Sequence, residues 1–433
     1  SFSKAGRTVK VLHGQTAVFN LVGVAAGGLS AVGERAAMRA FRKKAERKEK
    51  KPNTHNFGDL ILKHRMAIIT RTLLVLLLCA GLGATIYVQL KNQVFSSYIT
   101  LSSIEKQQYD SAACLSYVNG FLTYSKDGIS YTDTKGNALW NQTYEMQNPM
   151  VRVAGTRVAV ADYNGHIIHN IDQAGNSVEI DTNLPIREFA ISENGMVAAV
   201  LEDTNITWIY LYNSQGDKVA YVKTTMQKSG YPAALALSPD GKLMAVSYIA
   251  VENGSTKSSV AFYNFSSVGQ NFVDNFASGA DYVDAVIPYI TFLSNDTAFA
   301  VADNRLVIYS GDQRPKSSAD VFLDGEIQSV FYSGSYIGLV FLDTTGQGKY
   351  RLDVYNTSGT VVTSQYFDIE YKDIILYKDS IIIYNETQCM IANLHGLVRF
   401  HGEFENPLLL FAPVSAKKYL AVSKDSIDII EMK

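Results

Sequence analysis

The side chains able to do chemistry in this chain are few and scattered. Histidine occurs at His13, His55, His64, His166, His169, His395 and His401. A metal site needs three or four ligands converging at bonding distance. His166 and His169 are three apart in a segment that alternates like a strand, which sends them to opposite faces. His395 and His401 flank a turn and could approach one another, but they supply two ligands only. Asp162, Asp203 and Asp303 each follow an apolar run and could present carboxylates at a loop face to a cation or a sugar; turn carboxylates more commonly bond to backbone. No H-E-x-x-H, C-x-x-C, G-x-S-x-G or phosphate-loop pattern occurs. The sequence therefore assigns no catalytic, cofactor-binding or metal-binding residue, and no cofactor. The 26 tyrosines would suit an adaptable binding surface, although tyrosine also fills strands, and strand filling is the favoured reading.

What must position any site is set by one stretch, TLLVLLLCAGLGATIYVQL at 72–90, uncharged and closed by Arg71 and Lys91. About nineteen helical residues rise roughly 28 Å, close to the ~30 Å hydrocarbon thickness of a bilayer. The run is too long, and too far from the start, for the apolar part of a signal peptide. It reads as one transmembrane helix, with the bilayer as a partner from Thr72 to Leu90. Up to Lys91 the chain carries 16 Lys and Arg against the four acids Glu34, Glu46, Glu49 and Asp59. That part is near +12 and the remainder near −14. Lys63, Arg65 and Arg71 flank the run on its N-terminal side, so the positive-inside rule puts the N-terminus in the cytoplasm and the large acidic part outside.

The expected organisation is a basic cytoplasmic arm (1–66), a transmembrane helix (67–91) and an extracytoplasmic domain (92–433). Within the arm, residues 14–33 are weakly apolar but carry five glycines, a poor span that leaves a second-span reading open. ERAAMRAFRKKAERKEKK at 34–51 is a strong helix former ended by Pro52. Its bases from Arg35 to Lys51 could rest on anionic lipid or simply be solvated. Nucleic acid is disfavoured, since aromatics that would stack on bases are nearly absent from the arm.

After Lys91 the sequence becomes short alternating runs of Val, Ile, Tyr and Phe, repeating about every forty residues, the size of a four-stranded propeller blade. A tight turn followed by a small apolar strand recurs eight times: NGFLTYS at Asn119, AGTRVAVAD at Ala154, SENGMVAAV at Ser192, SPDGKLMAV at Ser238, SNDTAFAVAD at Ser294, SGSYIGLVF at Ser333, KDSIIIYN at Lys378 and KKYLAVS at Lys417. A second marker, a strand, a polar turn with glycine and another strand, recurs seven times, with glycines at 136, 175, 216, 269, 311, 359 and 396. The eighth unit reaches SIDIIEMK one outer strand short. An open ring would expose unpaired edges, so SSYITLSSIE at 96–105 is expected to supply the missing outer strand. The predicted fold is an all-β, eight-bladed propeller closed by an N-terminal strand. Seven blades with an irregular insertion is the alternative, because the fourth unit is long.

The SPDGKLMAV unit resembles WD-type and related bacterial propellers. DTKGNALW at 133–140 resembles the outer turn of quinoprotein-like eight-bladed propellers, including the lipoprotein scaffold of outer-membrane barrel assembly. The whole plan is similar to uncharacterised single-span membrane proteins of Firmicutes. Quinoprotein enzymes carry a tryptophan motif in nearly every blade; here Trp140 and Trp208 are the only tryptophans, which argues against a quinone cofactor. The Ser-x-Asp-x-Gly-x-x-Trp box of sialidase propellers is also missing.

Cys114 and Cys389 are the only cysteines after the apolar run. They could pair but form no disulfide framework. Sparse cysteine beside seven N-x-S/T sequons favours a bacterial surface protein in which the sequons carry no glycan. These readings lead to a membrane-anchored binding or scaffold module for a membrane-proximal protein or envelope polymer. The alternative is a polysaccharide hydrolase or lyase working from the ring's central pocket. The orientation has a direct check. Single cysteines placed at Ser3 and Ser255, with Cys79, Cys114 and Cys389 replaced, should differ on intact cells: an impermeant thiol reagent labels position 255 and spares position 3.

Overall fold

The computed structural model describes residues 57–105, 113–252 and 254–433. The predicted helix at 34–51 and the rest of the arm before Phe57 lie outside them. The described chain forms two compact units, one through Ile86 and one from Tyr87 onward.

In the first unit, one helix begins at Phe57 and runs to Lys91. Its Ile61–Gln89 portion is long and apolar enough to cross a membrane, and its side chains are exposed. The helix starts ten residues before the expected boundary at 67. No proline separates Phe57 from Arg71, Gly58 falls in the first turn, and the Lys, His, Arg and Met of that stretch all tolerate helix. Thr70 and Thr72 bond their hydroxyls to the carbonyls of Met66 and Ile68 at 2.8 and 3.0 Å, so neither hydroxyl is left unpaired on an apolar surface.

The second unit is an eight-bladed β-propeller, each blade a four-stranded antiparallel sheet. The strands of a blade are called A to D from the inside out. Blades 1 to 7 are built from consecutive strands. Blade 8 takes A, B and C from Leu408–Pro413, Lys418–Ser423 and Ser426–Met432, and D from Tyr98–Glu105. The expected closure is thus present, running from Tyr98 opposite Met432 to Glu105 opposite Ser426, with a bulge between Thr100 and Ser102. The seven-blade alternative falls. The long fourth unit is accommodated within one blade, where strands Leu243–Glu252 and Ser255–Asn264 extend together as a ten-residue hairpin.

The eight turn-and-strand repeats are the B strands. Each lies between two sheet neighbours and between two blades, so both of its faces are covered. That is why these strands read as continuous apolar runs without alternation: Val158 to Ala161, Val197 to Leu201 and Leu243 to Val246 are essentially inaccessible. The D strands face water on one side and alternate, as in KVAYVKT at Lys218–Thr224. The seven glycine turns join C to D. In five of them an Asp or Asn begins the turn and its side-chain oxygen accepts two backbone N–H groups. Asp133 takes those of Lys135 and Asn137 at 2.8 and 2.9 Å, and Asn393 takes those of His395 and Leu397 at 3.0 Å. The glycine that follows has positive φ, +79° at Gly136 and +80° at Gly396, a conformation that favours glycine.

The closure strand is itself held by a latch. Phe95 is 4% exposed; its N–H donates to the Arg399 carbonyl at 2.6 Å, and the cations of Arg399 and Lys417 lie 5.3 and 5.6 Å from its ring. Lys417 Nζ donates to Gln93 Oε1 at 2.7 Å, and Arg399 Nε to the Gln93 carbonyl at 3.2 Å. Ser96 and Ser97 then pair with Lys433 through backbone. A soluble ring beginning at Gln93 should therefore fold. Phe95→Ala should lower its stability by about 3 kcal/mol in urea unfolding, and removal of 93–105 should produce aggregates on gel filtration because two edges are left unpaired.

Candidate functional site

The A strands of all eight blades line the axis of the ring, and two cavities lie along it. The first, of about 280 Å³, is walled by A strands of blades 2 to 6, from Arg152 and Glu188 round to Tyr289 and Tyr332. Arg152 pairs with Glu188 across blades, Nη2 to Oε1 at 2.9 Å, and its guanidinium lies 5.6 Å from the Phe189 ring. Glu188 Oε1 also accepts the Phe189 N–H at 2.9 Å. The Tyr289 hydroxyl is hydrogen-bonded to Tyr332, and burial pushes its pKa well above the ordinary phenol range. Nearby, Arg187 pairs with Glu202 and bonds Asn164 and, at 3.3 Å, the Tyr163 hydroxyl. Each arginine here has its own carboxylate, so the charge of this end is locally balanced.

The second cavity, of about 450 Å³, is walled by blades 7, 8 and 1, with Lys372, Asp373, Tyr377, Tyr384 and Cys114 among its residues. Lys372 Nζ donates to the Leu409 carbonyl at 2.9 Å. Burial raises the Asp373 pKa, opposed by the Ile374 N–H on Oδ1 at 2.8 Å and by the Lys372 charge. Glu188 is the one carboxylate in the wall of the first cavity, and Asp373 the one in the second. Acid-base glycoside cleavage uses two carboxyl groups roughly 5–9.5 Å apart on either side of one substrate bond, and neither wall offers that pair among the described residues. Tyrosine hydroxyls, a paired arginine and exposed strand backbone suit recognition instead.

The residues singled out by type do not converge. His166 pairs with Asp181 at 3.1 Å. His169 stacks on Tyr144 with centroids 5.9 Å apart, and burial lowers its pKa. His395 sits in a C–D turn, and His401 lies on a D strand opposite Met390. No group of three His, Cys, Asp or Glu able to hold a metal occurs among the described residues. Asp162 accepts the N–H groups of Gln147 and Asn148 at 3.1 and 2.6 Å, and Asp303 that of Val286 at 3.1 Å. Both staple inter-blade loops, and Asp203 meets only the Thr204 hydroxyl at 3.4 Å. The tyrosines serve mainly as core: the hydroxyls of Tyr248 and Tyr263 pair at 2.9 Å, and those of Tyr282 and Tyr309 at 2.7 Å. Cys114 and Cys389 form no disulfide, and Cys389 is buried. The Arg152–Glu188 pair was not signalled, because 36 residues separate its members and each sits singly in its own strand.

Solved propellers are similar to this chain in fold. BamB from Moraxella catarrhalis is 12% identical, with 78% of this chain and 100% of that chain covered and a TM-score of 0.45. Saccharomyces cerevisiae Sqt1 is 12% identical, covering 79% and 99%, with a TM-score of 0.49. Sqt1 from Chaetomium thermophilum is 12% identical, covering 78% and 100%, at 0.48. No curated protein matches the sequence. Residues 91–432 match the model of a family described as a family of unknown function, DUF5711.

Asp373 gives the second cavity a pH signature. Its folded pKa is raised, so the folded ring holds the proton more tightly than the unfolded chain does. That contribution is most favourable below the ordinary carboxylate pKa of about 4 and is lost as pH rises through the raised value. Asp373→Asn should remove the loss. Urea midpoints of the ring measured at pH 4 and pH 7 should fall less between the two for the variant than for the parent.

Proposed function

As the chain belongs to the DUF5711 family, whose function is unknown, we propose from its own architecture that it is a membrane-anchored binding or scaffold module. In this reading the helix crosses the cytoplasmic membrane with the N-terminus inside, and the propeller outside holds a membrane-proximal protein or envelope polymer. The observation that carries it is that an eight-bladed ring follows in the same chain a helix whose Ile61–Gln89 portion is apolar and long enough to cross a membrane. The helix runs to Lys91, and the ring's first hydrogen bonds to the latch are made by Gln93. A binding domain tethered to a membrane gains effective concentration toward partners in or beside the same membrane. The rival reading, a polysaccharide hydrolase or lyase on the axis, has less support from the single carboxylate in each cavity.

A flexible thirty-residue Gly/Ser insert between Lys91 and Asn92 leaves the latch intact. It should weaken cross-linking to the partner in cells while the ring's thermal melting is unchanged. A ring released into the medium that restores the phenotype of a deletion strain as well as the anchored form would overturn the tethering reading.

A further inference from the structure

Three of the strands that wall the first axial cavity carry a β-bulge. Their pairing with the B strand skips one residue, at Arg187 in blade 3, Ala233 in blade 4 and Gln328 in blade 6. A bulge turns side chains out of strict alternation and is common beside binding sites. Glu188 directly follows the first bulge and Ala233 forms the second, and both line the cavity. The Arg152–Glu188 pair there is not closed on itself. Of the five N–H donors of a guanidinium, Arg152 gives one to Glu188 Oε1 at 2.9 Å and one to the Val151 carbonyl at 3.2 Å. Glu188 Oε1 also takes the Phe189 N–H, while Oε2 has no hydrogen-bond partner among the described residues. The two side chains are 43% and 32% exposed, so spare donors and a spare acceptor stand side by side. Blade 6 lies opposite blade 2 in a ring of eight, and its Tyr332 is 45% exposed with its side chain hydrogen-bonded to Tyr289. The alanine-rich strand Tyr231–Leu237 and Ile290 add apolar wall.

We propose that this cavity binds an uncharged sugar residue at the end of an envelope glycan. An anion would compete with Glu188 for Arg152, and a cation with Arg152 for Glu188, so the balanced pair selects a ligand without charge. Neighbouring ring hydroxyls each donate and accept, and one such pair meets a spare guanidinium N–H and Glu188 Oε2 together. The C–H face of the sugar packs on the alanine wall and on Tyr332. A peptide amide has its donor and acceptor pointing opposite ways and matches a strand edge instead. The volume of about 280 Å³ lies just under the ~300–1,000 Å³ of sites for drug-sized ligands, so the cavity takes a terminal ring and not a length of chain. The other cavities lack this balance. In the second axial cavity Lys372 is engaged with the Leu409 carbonyl. The cleft of about 470 Å³ at the closure seam, where blade 8 has no C–D turn between Met432 and Tyr98, has carboxylates but no Lys or Arg in its wall. The proposal rests on the reading of the ring as a binding module and selects the envelope polymer as what it holds.

The test uses the full chain in lauryldimethylamine oxide, a detergent without a sugar headgroup. Methyl glycosides of glucose, galactose, mannose and N-acetylglucosamine are titrated by ligand-observed NMR, with glucuronate, protonated glucosamine and N-acetyl-trialanine amide as controls. At least one glycoside should bind about tenfold or more tighter than every control. Glu188→Gln leaves Arg152 unpaired and should reverse the order, favouring glucuronate over that glycoside by about fivefold. If this variant fails to fold, Ala233→Phe fills the cavity from the partly exposed bulge and should abolish binding, whereas Val219→Phe on the outer strand of blade 3 should leave it within about twofold. No binding by any glycoside, binding matched by a control, an unchanged order in a folded Glu188→Gln protein, or equal effects of the two phenylalanine substitutions would overturn the site. Absent glycoside binding beside partner cross-linking in cells that still weakens with the Gly/Ser insert removes the site and leaves the binding-module reading standing. Glycoside binding together with a fully functional released ring removes the tethering reading and leaves the site.

Discussion

The backbone pairing of Tyr98–Glu105 with Ser426–Met432 is the interaction on which the rest of the propeller depends. Every other sheet in the ring is closed by hairpins between consecutive strands, whose pairing survives any slip elsewhere. In blade 8 the outer strand alone is held without a hairpin, by hydrogen bonds and packing between distant parts of the chain. If that strand leaves, Ser426–Met432 becomes a bare edge, and the cluster between blades 8 and 1, built from Phe121, Leu410, Leu420 and Ile427 against Ile104, loses its outer cover. The latch at Gln93 and Phe95 adds a second hold where the chain enters the ring. It buries an aromatic ring between two cations whose own hydrogen bonds point back to Gln93, so removing one member loosens all of them.

The same arrangement explains how a modest set of polar groups is used. The carboxylates that a sequence might offer as ligands are spent inside the fold. Asp133 and Asp172 close C–D turns, Asp162 and Asp303 pin loops between blades, and Glu188 and Glu202 neutralise the arginines of the axis. A ring of this kind gains rigidity from polar satisfaction at every turn. The surfaces left over include the two axial cavities and a cleft at the closure seam.

Much of the fold was legible because its local rules are strong. A B strand covered on both faces must be apolar throughout, and a C–D turn that needs positive φ calls for glycine, so both markers could be counted and the missing outer strand inferred from their inequality. The Asp or Asn that opens five of the turns is equally visible in ISYTDTKGN or LDVYNTSGT, but its type alone signals a polar turn and not the two backbone bonds it accepts. The helix start at Phe57 was hidden because charged residues end an apolar run without ending a helix. The Arg152–Glu188 pair, the burial of Phe95 and the seam cleft were not legible at all. Each brings together residues from different blades or opposite parts of the chain, and the cleft depends on a turn that is not there.

The register of the closure strand is the most direct measure of this account. With the native cysteines replaced, Ile99→Cys and Glu431→Cys face each other across the seam, whereas Ile99→Cys and Ile429→Cys are two positions out of register. Oxidation in native membranes should convert the first pair almost wholly to an intramolecular disulfide, seen as a mobility shift of the monomer, and leave the second largely reduced. Efficient cross-linking of the second pair, no cross-link in the first, or a disulfide-linked dimer from the first would contradict closure of each ring by its own N-terminal strand.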